Sequence, residues 1–343
     1  PISQHIGAPP KIVVERGEQV KVGQVIAMHE GFVSANIHSS VSGKVGKIDQ
    51  VMDSSGYKRM AINIRVKGDE WLESIDRSPD LVKGISLTDK EIVQKIMEAG
   101  VVGMGGAAFP SHVKLSVPEG KTVDTLIING VECEPFLTAD HRIMLEKPHE
   151  IMVGAQVLMK ALGVSKAIIG IENNKKDAIE LLKNTAGEYK GISVEPLKVQ
   201  YPQGGEKQLI EALLGREVPS GGLPADVGAI VHNVGTTYSI YLAVQKNQPL
   251  VERVVTITGK TLENPSNFMV RIGTPVQELI DAAGGLPADA GKVVSGGPMM
   301  GKALNDLTVP IAKATSGILI IPRSESSRSQ EFNCVRCGKC IEA

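Results

Sequence analysis

The sequence predicts an α/β protein in which a central parallel sheet lies between two smaller β units. From residue 88 to about residue 246, apolar runs of strand length alternate with amphipathic helical segments, and this alternation is typical of parallel sheets. Residues 1–66 instead contain short apolar runs separated by Gly, Ser and Asn turns, and strand patterns return after residue 250. We therefore expect four units, bounded at residues 1–66, 67–246, 247–322 and 323–343.

Composition excludes several functional classes. The formal net charge of −1 gives no general attraction to nucleic acid, so no nucleic-acid partner is expected. No apolar run approaches the roughly 18 residues that cross a bilayer. Three of the four cysteines fall in the last ten residues, which is not a disulfide framework and favours a reducing compartment with a metal site.

The first unit resembles a known β module. The stretches ERGEQVKVGQVIA and SSVSGKVGKI place Gly turns between short strands, as in the biotinyl/lipoyl-like sandwich. A lipoyl carrier needs a modifiable lysine at a hairpin tip, and the equivalent stretch HEGFVSANIHSS has none. We therefore interpret residues 1–66 as a structural module.

The second unit begins with a helix that Thr88 caps and Glu91 completes as a capping box. Its strands and helices then alternate, from VDTLIING to the helix GGEKQLIEALLG. The third unit, which includes RVVTITG and KVVSGGPMMGKAL, resembles a soluble ligand-binding β-grasp domain. Residues 308–322 are predicted to return to the main body as strands, and a polar linker follows.

A glycine-rich loop, AGVVGMGGAAFPSHVKL, follows the first predicted helix. Gly103, Gly105 and Gly106 allow backbone N–H groups to approach a ligand closely. Lys114 supplies a positive charge suited to a phosphate. No G-K-[ST] follows the glycines, so the loop is not a P-loop. The alternative interpretation is a tight connection without a ligand.

An acidic loop, IINGVECEPFLTADHRIM, follows a predicted buried strand. Asn129 is followed by Glu132, Glu134 and Asp140. Ligands bind at the carboxyl ends of parallel strands, where these carboxylates could accept from amide, hydroxyl or ring N–H groups. The alternative is a solvated turn.

A third polar break, in AIVHNVGTTYSIYLAV, places Asn233 and Thr236 between a strand and a helix. Alone it is a capped helix N-terminus. The ordered motifs GxGGAxFPxxxK, NGxExEP and NVxT together resemble the flavin-binding subunit of respiratory complex I and its hydrogenase and formate dehydrogenase relatives. With a sandwich module before them and a ferredoxin-like tail after them, the whole chain resembles the RnfC family of Rnf electron transport complexes, which are membrane-bound ferredoxin:NAD oxidoreductases.

This resemblance implies a flavin-binding core and two groups of site residues. FMN contacts are implied for Gly103, Gly105, Gly106, Lys114, Asn129, Glu132, Asn233 and Thr236. Phe109 and Glu134 are implied near the nicotinamide of NADH. Three positions depart from the complex I pattern, since Met104 replaces Arg, and Ala108 and Phe136 each replace Gly.

The cysteines Cys334, Cys337 and Cys340 have the spacing that opens a bacterial ferredoxin run, C-x₂-C-x₂-C-x₃-C. The fourth cysteine of that run would be residue 344, so we expect the sequence to be part of a longer chain whose tail holds [4Fe–4S] clusters. A zinc site is the structural alternative, although zinc usually takes four ligands. Cys133 lies between two glutamates, which disfavours a thiolate nucleophile.

The predicted function is that of an electron-transfer flavoprotein subunit. NADH and FMN would exchange a hydride, and the flavin would pass single electrons to iron–sulfur clusters. The implied partners are the other subunits of a membrane complex, with ferredoxin as an indirect electron partner, and the implied location is peripheral on the cytoplasmic face. The alternatives are a cobalamin reductase of a propanediol-utilisation microcompartment and a non-enzymatic scaffold.

Overall fold

The computed structural model describes residues 1–326 and 335–336. The strands are β1 (Lys11–Ile12), β2 (Gln19–Val20), β3 (Val25–Met28), β4 (Ile37–His38), β5 (Gly43–Met52), β6 (Lys58–Val66), β7 (Thr125–Asn129), β8 (Ala167–Glu172), β9 (Ile192–Leu197), β10 (Ala229–Asn233), β11 (Glu252–Gly259), β12 (Ser266–Arg271), β13 (Ala290–Ser295), β14 (Lys302–Ala303) and β15 (Gly317–Pro322). The α-helices are α1 (Asp89–Glu98), α2 (Ser111–Leu115), α3 (Ala139–Glu146), α4 (Pro148–Leu162), α5 (Lys176–Ala186), α6 (Glu206–Leu214), α7 (Val234–Gln245) and α8 (Val276–Ala282).

The N-terminal region forms two small antiparallel sheets, ordered β1–β3–β4 and β2–β5–β6. Short strands separated by glycines enclose an apolar cluster that includes Val20, Ile26, Ile37 and Val45. Ile48, Ile62 and Ile64 of the long β5–β6 hairpin pack against this cluster, and the tip of the hairpin lies at residues 53–57. The tip contacts the third sheet, since Ser55 accepts a hydrogen bond from Lys302.

The central region is a four-stranded parallel sheet, ordered β10–β7–β8–β9, with helices on both faces. Leu126 and Ile128 pack into the larger core with α1, α4 and α7, whereas Ile127 faces a smaller core with α6. Strands buried on both faces contain continuous apolar runs, as TLIIN and AIIGIE do. The predicted capping box of α1 is confirmed, since Thr88 and Glu91 make both of its hydrogen bonds.

The chain changes direction within this sheet. It runs outward from β7 to β8 and β9, and then crosses back to place β10 on the other side of β7. In open α/β sheets, ligands bind at the carboxyl ends of the strands where the strand order reverses. The gap between the ends of β7 and β10 is such a point.

The third sheet is mixed and is ordered β12–β11–β15–β13–β14. The pair β11–β15 is parallel, and the other pairs are antiparallel. The prediction of strands in residues 308–322 is confirmed for GILIIP, which forms β15, but this strand joins the third sheet rather than the central one. Only β15 is a strand there, and its buried GILIIP run fills the middle of the third sheet between β11 and β13.

Lys313 lies where the three regions meet, and it is 1% exposed. Its ammonium group donates to the carbonyl oxygens of Asn36 and Gly100, each at 2.7 Å. Its backbone N–H donates to Gln4 Oε1 at 3.0 Å. One side chain thus connects the N-terminal region, the start of the glycine-rich loop and the segment that leads into β15.

Candidate functional site

The carboxyl ends of β7 and β10 bring two asparagines together. Asn129 and Asn233 are directly paired in the parallel register. Asn233 caps α7, because its Oδ1 accepts from the backbone N–H of Thr236 at 3.1 Å, and its Nδ2 donates to Asp140 Oδ2 at 2.6 Å. Asn129 Nδ2 donates to the Gly204 carbonyl at 2.9 Å. Two motifs that are about 100 residues apart in the sequence therefore meet at the switch point of the sheet.

The glycine-rich loop packs onto this edge. The N–H of Met104 donates to Thr236 Oγ1 at 2.9 Å, so the loop is anchored to the first turn of α7. A Cβ added to Gly105 would lie 3.1 Å from the Asn233 side chain, whereas one added to Gly106 would meet no atom within 4 Å. Gly105 thus permits the close approach, and Gly106 faces open space.

The acidic loop provides a pair of carboxyl groups in the wall of the site. The Glu132 carboxylate accepts from the backbone N–H groups of Asp140 at 2.8 Å and His141 at 3.0 Å. Burial, followed by the charge of Asp140, raises the pKa of Glu132 to about 8. Burial also raises the pKa of Asp140. Burial therefore disfavours the ionised form of both carboxyl groups.

Two buried cations lie behind these carboxyl groups. Arg253 is 5% exposed and donates to the carbonyl oxygens of Lys313, Val254 and Met104. Burial lowers the pKa of Arg253 to about 10, so it remains charged at neutral pH. Lys175 Nζ donates to the Val131 carbonyl at 2.8 Å and pairs with the buried Glu172 at 3.2 Å. The carboxyl pair is thus held between fixed positive charges.

Glu134 contacts the third sheet. Its Oε1 accepts from the backbone N–H groups of Met299 at 2.7 Å and Met300 at 3.0 Å. A Cβ added to Gly297 would lie 2.2 Å from Glu134 Cγ, so only glycine permits this contact. The loop between β13 and β14 therefore fixes the position of this carboxylate.

These elements surround a cavity of about 530 Å³, within the size range of small-molecule sites. Six of the sequence-predicted residues line it, namely Gly105, Gly106, Asn129, Glu132, Glu134 and Asn233. Four others, Gly103, Phe109, Lys114 and Thr236, do not line it. Of these four, Gly103 and Phe109 form a backbone bond within the loop, and Lys114 pairs with Glu206 at 2.5 Å.

Several lining residues were not predicted as site residues. Arg253 and Lys302 carry charge, and Ser54 comes from the N-terminal hairpin. Asp140 also lines the cavity; the sequence singled it out in the acidic loop but assigned it no FMN or NADH contact. The sequence did contain a signal for the segment SGGPMMGK, which includes Lys302. Its glycines follow a predicted strand, just as the glycines of the first glycine-rich loop follow a predicted helix. Nothing in the local sequence of Ser54 or Arg253 indicates a site, since each reaches the cavity through the tertiary fold.

The predicted metal ligands Cys334, Cys337 and Cys340 lie outside the described residues. Within residues 1–326 and 335–336, no group of three or more His, Cys, Asp or Glu residues could hold a metal ion. Cys133 lines the cavity, and its pKa is raised, first by burial and then by the charges of Glu172 and Glu134. The prediction that its thiol is not activated agrees with this direction.

Three family models match the chain. The Nuo51 FMN-binding domain matches residues 96–242, the RnfC barrel sandwich hybrid domain matches residues 1–69, and the SLBB domain matches residues 254–303. The corresponding subunit of the proton-translocating ferredoxin:NAD(+) oxidoreductase complex of Clostridium ljungdahlii is 50% identical over 100% of this chain and 74% of its own length. Its counterpart in the Na(+)-translocating complex of Acetobacterium woodii is 44% identical over 99% of this chain and 76% of its own length.

A crystal structure of an NAD+-reducing [NiFe]-hydrogenase in the H2-reduced state superposes with a TM-score of 0.58, covering 69% of this chain and 47% of that chain at 20% identity. This likeness concerns the fold. The fold and the matched domains define a flavin-type electron-transfer subunit of an oxidoreductase. The chain belongs to the RnfC family of ion-translocating ferredoxin:NAD(+) oxidoreductase complexes. No helix among the described residues is both long enough and apolar enough to span a membrane.

Proposed function

We propose that the switch-point cavity binds FMN and that the bound flavin exchanges a hydride with NAD(H). The observation that carries this proposal is the meeting of Asn129, Asn233 and the glycine-rich loop at one cavity edge. Bound FMN supplies the conversion between a two-electron hydride step and one-electron transfer. Every other contribution below comes from side chains and backbone groups of the chain.

The cavity wall suits a flavin in shape and chemistry. No atom lies within 4 Å of the position that a Cβ on Gly106 would occupy, so a planar ring can approach its backbone. A protonated Glu132 can both donate and accept, as required by a ring edge with N–H and carbonyl groups. Asn129 and Asn233 supply further amide groups.

Three of the predicted FMN residues, Thr236, Gly103 and Lys114, are proposed to support the cavity wall without contacting FMN. Thr236 holds Met104 through a hydrogen bond of 2.9 Å, and Gly103 closes the loop by donating to the Phe109 carbonyl at 2.8 Å. Lys114 Nζ bonds Glu206 and the Val231 carbonyl. These contacts keep the loop and the end of β10 in place without touching the ligand.

Glu134 and Phe109 are proposed to lie near the nicotinamide. Glu134 lines the cavity and is held by two backbone donors, so its carboxylate has a fixed direction. Phe109 belongs to the glycine-rich loop and would reach the nicotinamide after a movement of that loop. Hydride transfer needs orientation rather than a general base, and no side chain is assigned as one.

Membership of the family makes the chain a component of a multi-subunit complex. We propose that NADH is its substrate and that reduced ferredoxin supplies electrons indirectly, through [4Fe–4S] clusters on Cys334, Cys337, Cys340 and further cysteines. The proposed position is peripheral, on the cytoplasmic face. We further propose a biotinyl/lipoyl-like module for residues 1–66, a flavin-binding unit for 67–246 and a β-grasp unit for 247–322. Residues 323–343 are proposed to be a linker and the start of an iron–sulfur unit.

The test is FMN binding to the purified chain, followed by anaerobic addition of NADH. Flavin absorbance that appears on the protein and bleaches with NADH is expected. In Gly106→Ala a methyl group would enter the cavity, so FMN affinity should fall at least tenfold. Gly163→Ala is the matched control, because Gly163 also has positive φ and open space around it but caps α4 away from the cavity.

The outcomes separate the competing functions. A wild-type chain that binds neither FMN nor NADH would contradict the proposal and favour the scaffold. FMN binding with rapid electron transfer to cob(II)alamin and none to clusters in the complex would favour the cobalamin reductase. Equal losses in Gly106→Ala and Gly163→Ala would attribute the effect to backbone strain and remove the assignment of Gly106.

A further inference from the structure

The lining of the cavity contains two cations, Arg253 and Lys302, among its described residues. Arg253 is buried, and its guanidinium already donates to three backbone carbonyls. Lys302 is exposed at the rim. A ligand that brings negative charge into this cavity therefore meets Lys302 as the accessible positive group.

Lys302 is held by another part of the chain. It is the first residue of β14, paired with Ser295 at the edge of the third sheet. Its ammonium group donates to Ser55 Oγ at 2.8 Å, at the tip of the β5–β6 hairpin. Ser55 is neutral, and no carboxylate in the described part of the chain forms an ion pair with Lys302. Two N–H donors and an uncompensated charge thus remain for a ligand.

Lys114 differs in each of these respects. Its ammonium group lies 2.5 Å from the Glu206 carboxylate and donates to the Val231 carbonyl, and it does not line the cavity. A lysine already neutralised by a carboxylate contributes little further attraction for an anion. The residue chosen from the sequence as the phosphate partner is therefore less suited to that role than Lys302.

We propose that Lys302, positioned by Ser55, binds a phosphate group of a nucleotide in the cavity. This inference rests on the proposed function, in which FMN carries one phosphate and NAD(H) carries two. An ammonium group bonded to phosphate oxygens makes the charge-assisted type of hydrogen bond, which is stronger than a neutral one. Ser54, the neighbour of Ser55, lines the same cavity.

The N-terminal region thereby becomes part of the binding site. The FMN-binding domain match covers residues 96–242, and both Ser55 and Lys302 lie outside it. The hairpin tip and the β13–β14 loop form a second wall of the cavity, in addition to the glycine-rich loop. A phosphate contact there would link ligand binding to the packing of the first unit against the third.

The experiment compares Lys302→Met, Lys302→Arg and Ser55→Ala with the wild-type chain by isothermal titration calorimetry. Four ligands are used: FMN, riboflavin, NAD+ and nicotinamide riboside. Riboflavin and nicotinamide riboside lack phosphate, so a loss of affinity that is absent for them reports on the contact between Lys302 and phosphate. The control is Lys260→Met, since Lys260 lies beside the same sheet but pairs with Glu325 at 2.7 Å on the exposed surface.

For Lys302→Met we expect the Kd of a phosphate-bearing ligand to rise about tenfold, or about 1.4 kcal/mol, with no change for its phosphate-free counterpart. Lys302→Arg should retain most of the affinity, and Ser55→Ala should lose less than Lys302→Met. If only the affinity for FMN falls, Lys302 binds the phosphate of the flavin. If only the affinity for NAD+ falls, Lys302 binds a phosphate of the dinucleotide.

Unchanged affinity for both FMN and NAD+ in Lys302→Met would overturn the inference, as would equal losses for the phosphate-free ligands. A wild-type chain that binds none of the four ligands would instead contradict the proposed function. The two failures are therefore distinguishable in the same set of titrations.

Discussion

The substitution Lys313→Met should remove a specific pH dependence from the stability of the chain. Burial lowers the pKa of Lys313 from 10.5 to about 7. The unfolded chain keeps the ammonium proton up to the higher pKa, whereas the folded chain releases it near neutrality. Between these two values the unfolded state binds more protons, so the free energy of unfolding of the wild type rises with pH.

The magnitude follows from the pKa difference. Each pH unit within this window contributes about 1.4 kcal/mol. From pH 7 to pH 9, allowing for partial titration near pH 7, the lysine contributes about 2 kcal/mol of added stability. Methionine is similar in size and does not titrate, so Lys313→Met should lack this increase whatever its stability at pH 7.

Urea unfolding at pH 7, 8 and 9 provides the assay. The single tryptophan is well placed as a probe, because the guanidinium carbons of Arg77 and Arg271 lie 4.4 Å and 4.5 Å from the centroid of the Trp71 ring. Its fluorescence therefore reports on the junction of the first and third regions. Parallel pH dependence in Lys313→Met and wild type would refute the reasoning.

Two controls complete this experiment. Lys260→Met removes an exposed lysine and should keep the pH dependence of the wild type. If Lys313→Met does not fold, NMR titration of ¹³C-labelled lysine side chains in the wild type measures the same pKa directly. A buried lysine that titrates near its ordinary 10.5 would equally contradict the prediction.

Three further predictions concern the backbone and the acidic loop. Ala108 and Phe136 have φ of 53° and 71°, which costs a non-glycine residue roughly 1–2 kcal/mol. Replacing either with glycine should raise the free energy of unfolding by up to about 1 kcal/mol, after the entropy of the unfolded glycine is subtracted; lower stability in urea melts would contradict this. Gly297→Ala should displace the Glu134 carboxylate and raise the Kd for NAD+ about tenfold, while unchanged calorimetric affinity would show that Glu134 does not contact the ligand. Thr88→Ala should lower the free energy of unfolding by about 1 kcal/mol through loss of the α1 cap, and an unaltered melting temperature would argue against that value.

The sequence predicted the parts of the site that follow directly from strand ends. Asn129 and Asn233 each end an apolar strand run, and parallel strands place such ends at one edge of a sheet. Their direct pairing depends on β10 crossing back beside β7, which the sequence analysis did not predict. The capping box of α1 was also predictable from the sequence, since Thr88 and Glu91 are only three residues apart.

The second wall of the cavity could not be predicted. Ser55 and Lys302 are 247 residues apart, and their contact depends on how two separate β units pack on the central sheet. In the sequence, Arg253 is an ordinary residue near the start of β11. Only the fold shows that it is buried and lines the cavity. The error over residues 308–322 has a related cause, because GILIIP indicates a buried strand but not which sheet contains it.

Residues from three separate regions of the chain line the cavity. A bound nucleotide would therefore contact all three and stabilise their packing against one another. A ligand that binds only the assembled form adds about 2.7 kcal/mol at a concentration one hundred times its Kd. Loaded chains should consequently resist proteolysis at the segments that connect the regions, whereas ligand-free chains should be cut there first.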